Sequence, residues 1–423
     1  MSVPELTRRL RLHDAVVIGV GSMVGAGVFA VWAPAAAAAG EGLFAGLALA
    51  ALVAWCNATS SAQLAAAYPT SGGTYIYGRE QLGPWWGYLA GWGFVVGKTA
   101  SAAAMALTFA AYVVPPGVWQ RPLAAAAVVA LAAVNYRGVT RTARLTRLIV
   151  AFVLAVLAAV VVATWSGWTP TSWLGSAPAI PVGIGPVAAS TYGVLQAGGL
   201  LFFAFAGYAR IATLGEEVVD PRRTIPLAIM LALGCAVVVY ALVGAGVVGL
   251  LGVEALASSS APLLDAVAAS PAPWLGPVVR VGGAVAALGA LLALIAGIGR
   301  TALAMARHGD LPKRLASVHP KFKVPHVAEV VLAAVVSGLV LAADLRGVIG
   351  FSSFGVLLYY FVANLAAFTQ RTDRLYPRAV QVVGMSLCLL LVVTLPWQSV
   401  VVGVAVFAVG VGARLLRMRE ASA

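Results

Sequence analysis

Apolar residues run in long stretches along almost the whole chain, with short polar segments between them. A membrane-spanning helix needs about 20 predominantly apolar residues, and the pattern predicts twelve such segments. They cover residues 15–39, 43–67, 88–113, 123–136, 148–165, 189–214, 225–251, 278–305, 327–342, 349–368, 380–395 and 399–415. Because the fourth, ninth and eleventh are short, hydropathy alone also allows ten or eleven spans.

Two of the predicted spans, the first and the sixth, are interrupted by small residues. The first contains Gly19, Gly21, Ser22, Gly25, Ala26 and Gly27, and the sixth contains Ala204, Ala206, Gly207 and Ala209 among Phe202, Phe203 and Phe205. Non-helical backbone at membrane depth is tolerated only where it faces protein or a watery cavity. A pair of interrupted helices in corresponding halves of a chain is the best sequence indicator of a transporter's binding site.

Composition and charge give the class and the orientation. The chain has 423 residues, 61% hydrophobic and 10% charged, whereas a soluble protein has roughly a quarter of its residues charged. We therefore predict an all-α polytopic membrane protein. Of its 27 lysines and arginines, three lie inside predicted spans, three lie in loops on one side and 21 on the other. This positive-inside asymmetry supports twelve spans in the cell membrane with both termini cytoplasmic.

The orientation also predicts a repeat, because spans one and six run in opposite directions, five spans apart. Such five-plus-five inverted repeats occur in one large class of transporters. We expect a leader at 1–14, a first repeat at 15–165, an extracellular loop at 166–188 and a second repeat at 189–368. Two peripheral spans at 369–415 and a cytoplasmic tail at 416–423 would complete the chain.

Several function classes lack their sequence signals. Cys56, Cys235 and Cys388 stand singly in apolar segments, which indicates neither a disulfide framework nor a zinc site. There is no Walker-type phosphate loop and no cluster of metal ligands in the sequence. We therefore expect no enzyme activity, no cofactor, no metal and no nucleic-acid partner. The expected partners are a small-molecule substrate, the lipid bilayer and a proton.

Five stretches of sequence, in order, resemble the amino acid–polyamine–organocation (APC) superfamily of permeases. They are GSMVGAGVF at 21–29, PTSGGTY at 69–75, FFAFAG at 202–207, EEVVDPRRTIP at 216–226, and AMARHGDLP at 304–312 with VP at 324–325. The resemblance covers about residues 12–370. It implies the five-plus-five (LeuT-like) inverted fold with discontinuous helices 1 and 6, and transport of amino acids or related amines.

The two breaks suit the two charged groups of an amino acid. The first offers free N–H groups and the positive end of a half-helix to a carboxylate, and the second offers unpaired carbonyls to an ammonium. The candidate substrate-binding residues are Gly21, Ser22, Met23, Val24, Gly25, Ala26, Gly27, Phe203, Ala204, Phe205, Ala206 and Gly207. The alternative is that the glycines only let helices pack closely.

Aromatic residues near the second break are candidates for covering the substrate. By resemblance, an aromatic here packs over the substrate and occludes it, and such rings can also stack on a cation. Phe203 and Phe205 hold this position, while Trp32 and Tyr359 are weaker candidates. The alternative for each ring is ordinary packing.

Lys98 lies deep in the third span, where an unpaired charge costs several kcal/mol. We expect it to face the bundle interior and, with Ser101, to be a candidate for coupling. It could carry a transported proton or replace a sodium ion with a fixed charge. Alternatively, it is a structural lysine that caps carbonyls of a neighbouring helix. Some relatives carry a lysine in the fifth span, but residues 149–157 are wholly apolar here. Residues 289–299 contain no Ser or Thr, which argues against sodium coupling.

Charged residues after the sixth span are candidates for a cytoplasmic gate. Arg210, Glu216 and Glu217, together with Phe205, could close the inner end through an ion-pair network, although a solvated polar face is an equally good interpretation.

The leading prediction for function is a secondary permease for amino acids, working by alternating access, proton-coupled or exchanging, and sodium-independent. A polyamine or cationic amino acid antiporter is the alternative, weakened by the absence of a carboxylate at mid-membrane. A non-transporting membrane partner or sensor on the same scaffold is a third possibility.

Overall fold

The computed structural model describes residues 9–70, 72–138, 143–167 and 190–422, except for the side chains of residues 26, 143, 144 and 420–422. Most of the predicted extracellular loop, residues 1–8 of the leader and residue 423 of the tail lie outside the described residues. The helices are α1 Leu12–Met23, α2 Ala26–Ala30, α3 Trp32–Ala39, α4 Leu43–Ala67, α5 Gly73–Leu82, α6 Pro84–Val113, α7 Gln120–Tyr136, α8 Ala143–Ser166, α9 Thr191–Phe205, α10 Ala209–Ala212, α11 Pro221–Ser258, α12 Pro262–Ala269, α13 Gly276–Arg307, α14 His326–Ala342, α15 Leu345–Thr369, α16 Arg378–Thr394 and α17 Trp397–Ser422.

Helices form at all twelve predicted segments, with some changes of boundary. Within the described residues, nine helical segments are long and apolar enough to cross a membrane, and α14 and α16 are shorter apolar helices. The prediction missed the short helices α5 and α12, because neither is long enough to register as an apolar span. The predicted end of the seventh span at residue 251 coincides with a kink at Gly252, where φ is 71°, and a second helical stretch then continues to Ser258. The arrangement of exactly these segments as twelve spans in two inverted repeats stays a prediction.

The first predicted break is a sharp interruption of one helix. α1 ends at Met23, Gly25 leaves the helical region with φ −66° and ψ −140°, and α2 begins at Ala26. A second, gentler bend falls at Val31, whose dihedral angles stay helical. Pro34 explains that bend, because a proline has no N–H for the carbonyl four residues earlier and its ring clashes with that carbonyl.

The second predicted break is gentler. α9 ends at Phe205, a 3₁₀ turn covers Ala206–Tyr208, and the chain resumes as the one-turn helix α10. A 3₁₀ stretch tightens the backbone and changes its hydrogen-bond register without leaving the helical direction. The two predicted interruptions are therefore both present but differ in kind.

α6 is the central helix of the bundle, packed along both α13 and α15. Glycines allow the close approach of α6 to α15: a Cβ added at Gly355 would lie 2.7 Å from the Gly93 carbonyl oxygen and 2.9 Å from Gly97 Cα. Small residues at helix crossings are the usual means of tight packing in membranes. On the other side of the bundle α1 packs on α11, and α9 packs on α4. This arrangement holds α1 and α9, the two interrupted helices, inside the bundle.

Candidate functional site

The two breaks touch each other through their backbones. A Cβ added at Gly207 would lie 2.2 Å from the carbonyl oxygen of Ser22 and 2.7 Å from the nitrogen of Met23. A Cβ added at Gly27 would lie 2.9 Å from the Cα of Ala204. Only glycine fits at such distances. The structure therefore brings the two predicted halves of the site together, and the glycines are where the contact is made.

Tyr240 of α11 joins the two breaks through one hydroxyl group. Its OH lies 2.6 Å from the carbonyl oxygen of Met23 and 2.9 Å from that of Ala204, so it can donate to either. The tyrosine is fully buried, and its ring packs edge-on against Phe205 with centroids 4.8 Å apart. Sequence reasoning missed this residue, because a single tyrosine in an apolar span looks like core packing. Its signal was the lone phenol, which needs a hydrogen-bond partner once it is buried.

Lys98 reaches the second break. It lies near the midpoint of α6 and is 8% exposed, and its Nζ donates a hydrogen bond to the carbonyl of Ala206 at 3.3 Å. The hydroxyl of Tyr360 donates to the same oxygen at 3.4 Å. Lys98 thus faces the bundle interior and caps a carbonyl of a neighbouring helix, and that carbonyl belongs to the predicted amine site. Both interpretations of Lys98 therefore involve the carbonyl oxygen of Ala206: the structural one has Lys98 cap it, and the functional one assigns it to the amine site.

Ser101, the other coupling candidate, lies one turn further along α6. Its hydroxyl is 2.6 Å from that of Ser352 on α15 and donates to the carbonyl of Gly97. These contacts tie α6 to α15 and do not involve either break.

The remaining candidates at the breaks are mostly buried. Met23, Val24, Gly25 and Gly27 are buried, and the hydroxyl of Ser22 donates to the carbonyl of Ile18 within α1. Gly21 faces α8, since an added Cβ would lie 2.3 Å from Val150 Cγ2. Phe203 and Phe205, the two main candidates for covering the substrate, are buried as well.

Phe203 is 7% exposed and Phe205 is fully buried. Trp32 is also fully buried and lies against Gly244 of α11, where an added Cβ would lie 2.5 Å from the ring. The hydroxyl of Tyr359 accepts a hydrogen bond from the backbone N–H of Thr74 at 3.2 Å, so its contact is with α5 and not with a break. Most side chains at the two breaks are therefore enclosed, and Gly21, Ser22 and Gly207 are half-buried.

A buried ion cluster, which we call the Asp310 cluster, holds one end of the bundle together. The carboxylate of Asp310 is 2.8 Å from Arg414 Nη1 and 3.3 Å from Arg79 Nη1, and it accepts a hydrogen bond from the hydroxyl of Tyr75 at 2.8 Å. The guanidinium of Arg414 also lies 4.5 Å from the ring centroid of Tyr88. Burial, followed by the hydrogen bond to Asp310, raises the pKa of the Tyr75 phenol above its ordinary value, so it stays a proton donor. The cluster links α5, α6 and α17 to the end of α13.

The predicted gate residues lie near this end of the bundle. Arg210 is exposed at the end of α10, and Glu216 and Glu217 are half-buried in the turn that follows. The backbone carbonyl of Glu217 accepts hydrogen bonds from the N–H groups of Arg9 and Leu10 at 2.9 and 3.0 Å. The N-terminal segment is therefore docked through backbone hydrogen bonds on the turn that carries Glu216 and Glu217.

The α4–α5 segment closes the same end. The hydroxyl of Tyr77 donates to the carbonyl of Ala212 at 3.0 Å, and a Cβ at Gly215 would lie 2.4 Å from the carbonyl carbon of Pro69. Asp310 and Arg79 fall in or beside the family-like stretches at 304–312 and 69–75, which is the signal that could have identified this end as a packed junction.

The opposite end is closed around Tyr112 of α6. Its hydroxyl donates to the carbonyl of Phe29 at 3.1 Å and accepts from the N–H of Leu263 at 3.4 Å, while its carbonyl accepts from Arg280 at 3.4 Å. The rings of Phe29 and Tyr112 pack edge-on, with centroids 5.4 Å apart. Both ends of the bundle therefore carry packed contacts, while Gly21, Ser22 and Gly207 at the breaks stay half-buried and Arg210 beyond the second break is exposed.

These features define a polytopic helical membrane protein built around a pair of interrupted helices. The family model for amino acid permeases matches residues 10–415, nearly the whole chain. The chain belongs to this amino acid permease family, within the APC superfamily that the motifs resemble.

Proteins similar in sequence to this chain include several transporters. The chain is 60% identical to an uncharacterized transporter of Mycobacterium tuberculosis over 410 residues, which cover 97% of this chain and 91% of that protein. It is 24% identical to the branched-chain amino acid permease of Bacillus subtilis, over 94% of this chain and 90% of that one. It is 30% identical to human cationic amino acid transporter 4, over 85% of this chain and 59% of that one. The family match and the named relatives together indicate that this protein is a transporter.

Proposed function

We propose that this protein is a secondary transporter that moves α-amino acids with uncharged side chains across the cell membrane by alternating access. The observation that carries the proposal is the backbone contact between the two breaks, Gly207 on Ser22 and Gly27 on Ala204. Paired interrupted helices that meet inside a bundle provide N–H groups and carbonyls at the same depth, which suits one zwitterion.

The first break would hold the carboxylate. The helix that restarts at Ala26 leaves its first N–H groups without partners in its own helix, and the helix dipole adds positive potential there. Since α3 continues α2 through a helical residue at Val31, the restarted helix runs on to Ala39. A carboxylate at this point gains charge-assisted hydrogen bonds from the backbone.

The second break would hold the amine by exchange of partners. The carbonyl of Ala206 accepts from Lys98 and Tyr360, and that of Ala204 accepts from Tyr240. An incoming ammonium would take one of these carbonyls and release its internal donor. Release of Lys98 would be the step that links substrate binding to the protonation of this residue, because a displaced and buried amine is less costly when it is neutral.

The coupling ion in this proposal is the proton, or the transporter exchanges one amino acid for another. In the case of exchange, Lys98 would instead keep its charge beside the second break and take the place of a coupling cation, which agrees with sodium independence. Twelve spans in two inverted repeats, with the Asp310 cluster and both termini at the cytoplasmic side, complete the proposed arrangement.

Cationic substrates are the second candidate, because human cationic amino acid transporter 4 is among the relatives. The buried carboxylates argue against them, because a second cationic group would need an acidic partner of its own. Three carboxylates are buried among the described residues, Asp14, Asp310 and Glu329. Asp14 lies by Arg147 and Asp310 pairs with two arginines, so neither is available to a second cationic group. Glu329 of α14 lies against Gly299 of α13 and lines a pocket with α7, on a different side of the bundle from the breaks. A sensor or partner without transport activity would need no exchange of donors at Ala206.

Uptake by the purified protein in proteoliposomes tests the proposal. The panel should contain labelled neutral, cationic and acidic amino acids and polyamines, each measured with and without a pH gradient and with sodium or choline outside. We expect saturable uptake or exchange of at least one neutral amino acid, unchanged by sodium. Absence of saturable transport of every compound would refute a permease, and preference for polyamines would favour the second candidate.

A further inference from the structure

A long apolar groove runs along the outside of the bundle, away from the breaks. It has a volume of about 960 Å³ and lies between α14 and α17, with α6 as its floor. One face of α17 lines it from end to end, through Gln398, Val402, Val406, Val409, Ala413 and Arg417. At 1.5 Å per residue these positions span about 28 Å, close to the roughly 30 Å thickness of the hydrocarbon core.

The walls of the groove suit hydrocarbon chains. Val331 and Val335 of α14 line it, and each is 48% exposed, while Val409 of α17 is 70% exposed. Trp92 and Val95 on α6 form part of the floor. None of the described residues that line the groove is acidic. A groove of this kind can be filled by a lipid or by another helix.

The end of the groove at Arg417 is basic and incompletely satisfied. Arg417 Nε donates to the carbonyl of Ala413 at 3.1 Å, but its Nη1 is buried without a protein partner among the described residues. An arginine that merely snorkels extends its head into water, whereas this nitrogen is enclosed. Exposed Lys313 and Arg314 lie next to Leu315, which also lines the groove. The nearby carboxylate of Asp310 is already shared by Arg79 and Arg414.

We propose that this groove binds an anionic phospholipid, with acyl chains along α14 and α17 and its phosphate at Arg417. The charge of the headgroup complements three basic residues, and the missing partner of Arg417 Nη1 is a phosphate oxygen. Basic pockets between transmembrane helices at the cytoplasmic side recognise such headgroups. A single apolar groove with one basic end distinguishes a phospholipid from a second copy of the chain, whose helix would need no phosphate.

Native mass spectrometry of the purified protein tests this proposal. The probes are phosphatidylglycerol and phosphatidylcholine with identical acyl chains, titrated onto delipidated protein. We expect phosphatidylglycerol to bind at least tenfold more tightly than phosphatidylcholine. Arg417→Gln should weaken phosphatidylglycerol binding about tenfold, whereas Arg371→Gln, which removes an exposed charge from the α15–α16 loop, should change it less than twofold.

A second variant tests the chain-binding part separately. Val335→Trp should fill the groove and reduce retention of phosphatidylglycerol at least fivefold while leaving Arg417 in place, and it serves if Arg417→Gln does not fold. Equal binding of the two lipids, or phosphatidylglycerol binding unchanged in both variants, would overturn the proposal. So would a dimer in the wild type that Val335→Trp converts to monomer, because the groove would then be an interface between two copies.

Discussion

The two breaks occupy the same depth of the bundle but are held in opposite ways. At the first, Gly25 turns the backbone sharply out of the helix, and the helix that follows begins with unpaired N–H groups. At the second, the 3₁₀ turn Ala206–Tyr208 changes the hydrogen-bond register gently. The carbonyls of Ala204 and Ala206 already accept hydrogen bonds from side chains of α6, α11 and α15.

This difference indicates that the two breaks have different roles in substrate binding. The first break presents donors that await an anion, so it can bind without rearranging its neighbours. The second presents acceptors that are covered in the absence of substrate, so binding there requires Lys98, Tyr240 or Tyr360 to move. Conformational coupling is therefore expected to originate at the second break.

The contact at Gly207 should be the most sensitive point of this comparison. In Gly207→Ala the new Cβ would meet the Ser22 carbonyl oxygen, a backbone atom that no side-chain rotation can move away. We expect initial uptake rates to fall about a hundredfold in proteoliposomes, because a clash with a backbone atom at this distance lies at the upper end of the range of about 1–3 kcal/mol that overpacking costs.

The matched control is Gly234→Ala in α11, where an added Cβ meets nothing within 4 Å. Its uptake should stay within twofold of wild type. Equal rates for the two alanine variants would mean that the breaks do not work in contact.

Tyr240→Phe should give the next largest effect, because it removes the one hydroxyl that serves both breaks. A buried carbonyl left without its donor costs about 1–3 kcal/mol, so uptake should fall about tenfold or more while the protein stays folded. The exposed tyrosine at the start of α9 provides the control, Tyr192→Phe, which should be silent. Unchanged transport in Tyr240→Phe would show that the bridge is only packing.

Variants of Lys98 distinguish a role in proton coupling from a role in capping the carbonyl of Ala206. If its proton is transported, Lys98→Ala should abolish the dependence of uptake on an imposed pH gradient, and Lys98→Arg should abolish it too, because arginine does not lose its proton. If Lys98 only caps the carbonyl of Ala206, Lys98→Arg should keep both the activity and the pH profile. The measurement is the ratio of initial uptake rates with and without the gradient, expected to drop from several-fold to one.

The sequence predicted the long helices and both breaks, because apolar runs and small residues are local signals. It also placed Lys98 correctly inside the bundle, since a charge at that depth has no other place to go. It could not predict Tyr240, whose importance depends on α11 packing against α1. The Asp310 cluster was missed for the same reason, because Tyr75 and Asp310 lie 235 residues apart along the chain.

The most direct test compares three compounds that differ by one charged group. The amino acid that is taken up best in the uptake panel is measured in equilibrium binding beside its decarboxylated amine and its deaminated acid. Each lost group removes a charge-assisted hydrogen bond worth about 1.5–3 kcal/mol, so both analogues should bind at least tenfold more weakly than the amino acid. If the amine bound as tightly as the amino acid, the first break would not hold a carboxylate, and the account of a shared zwitterion site would be wrong.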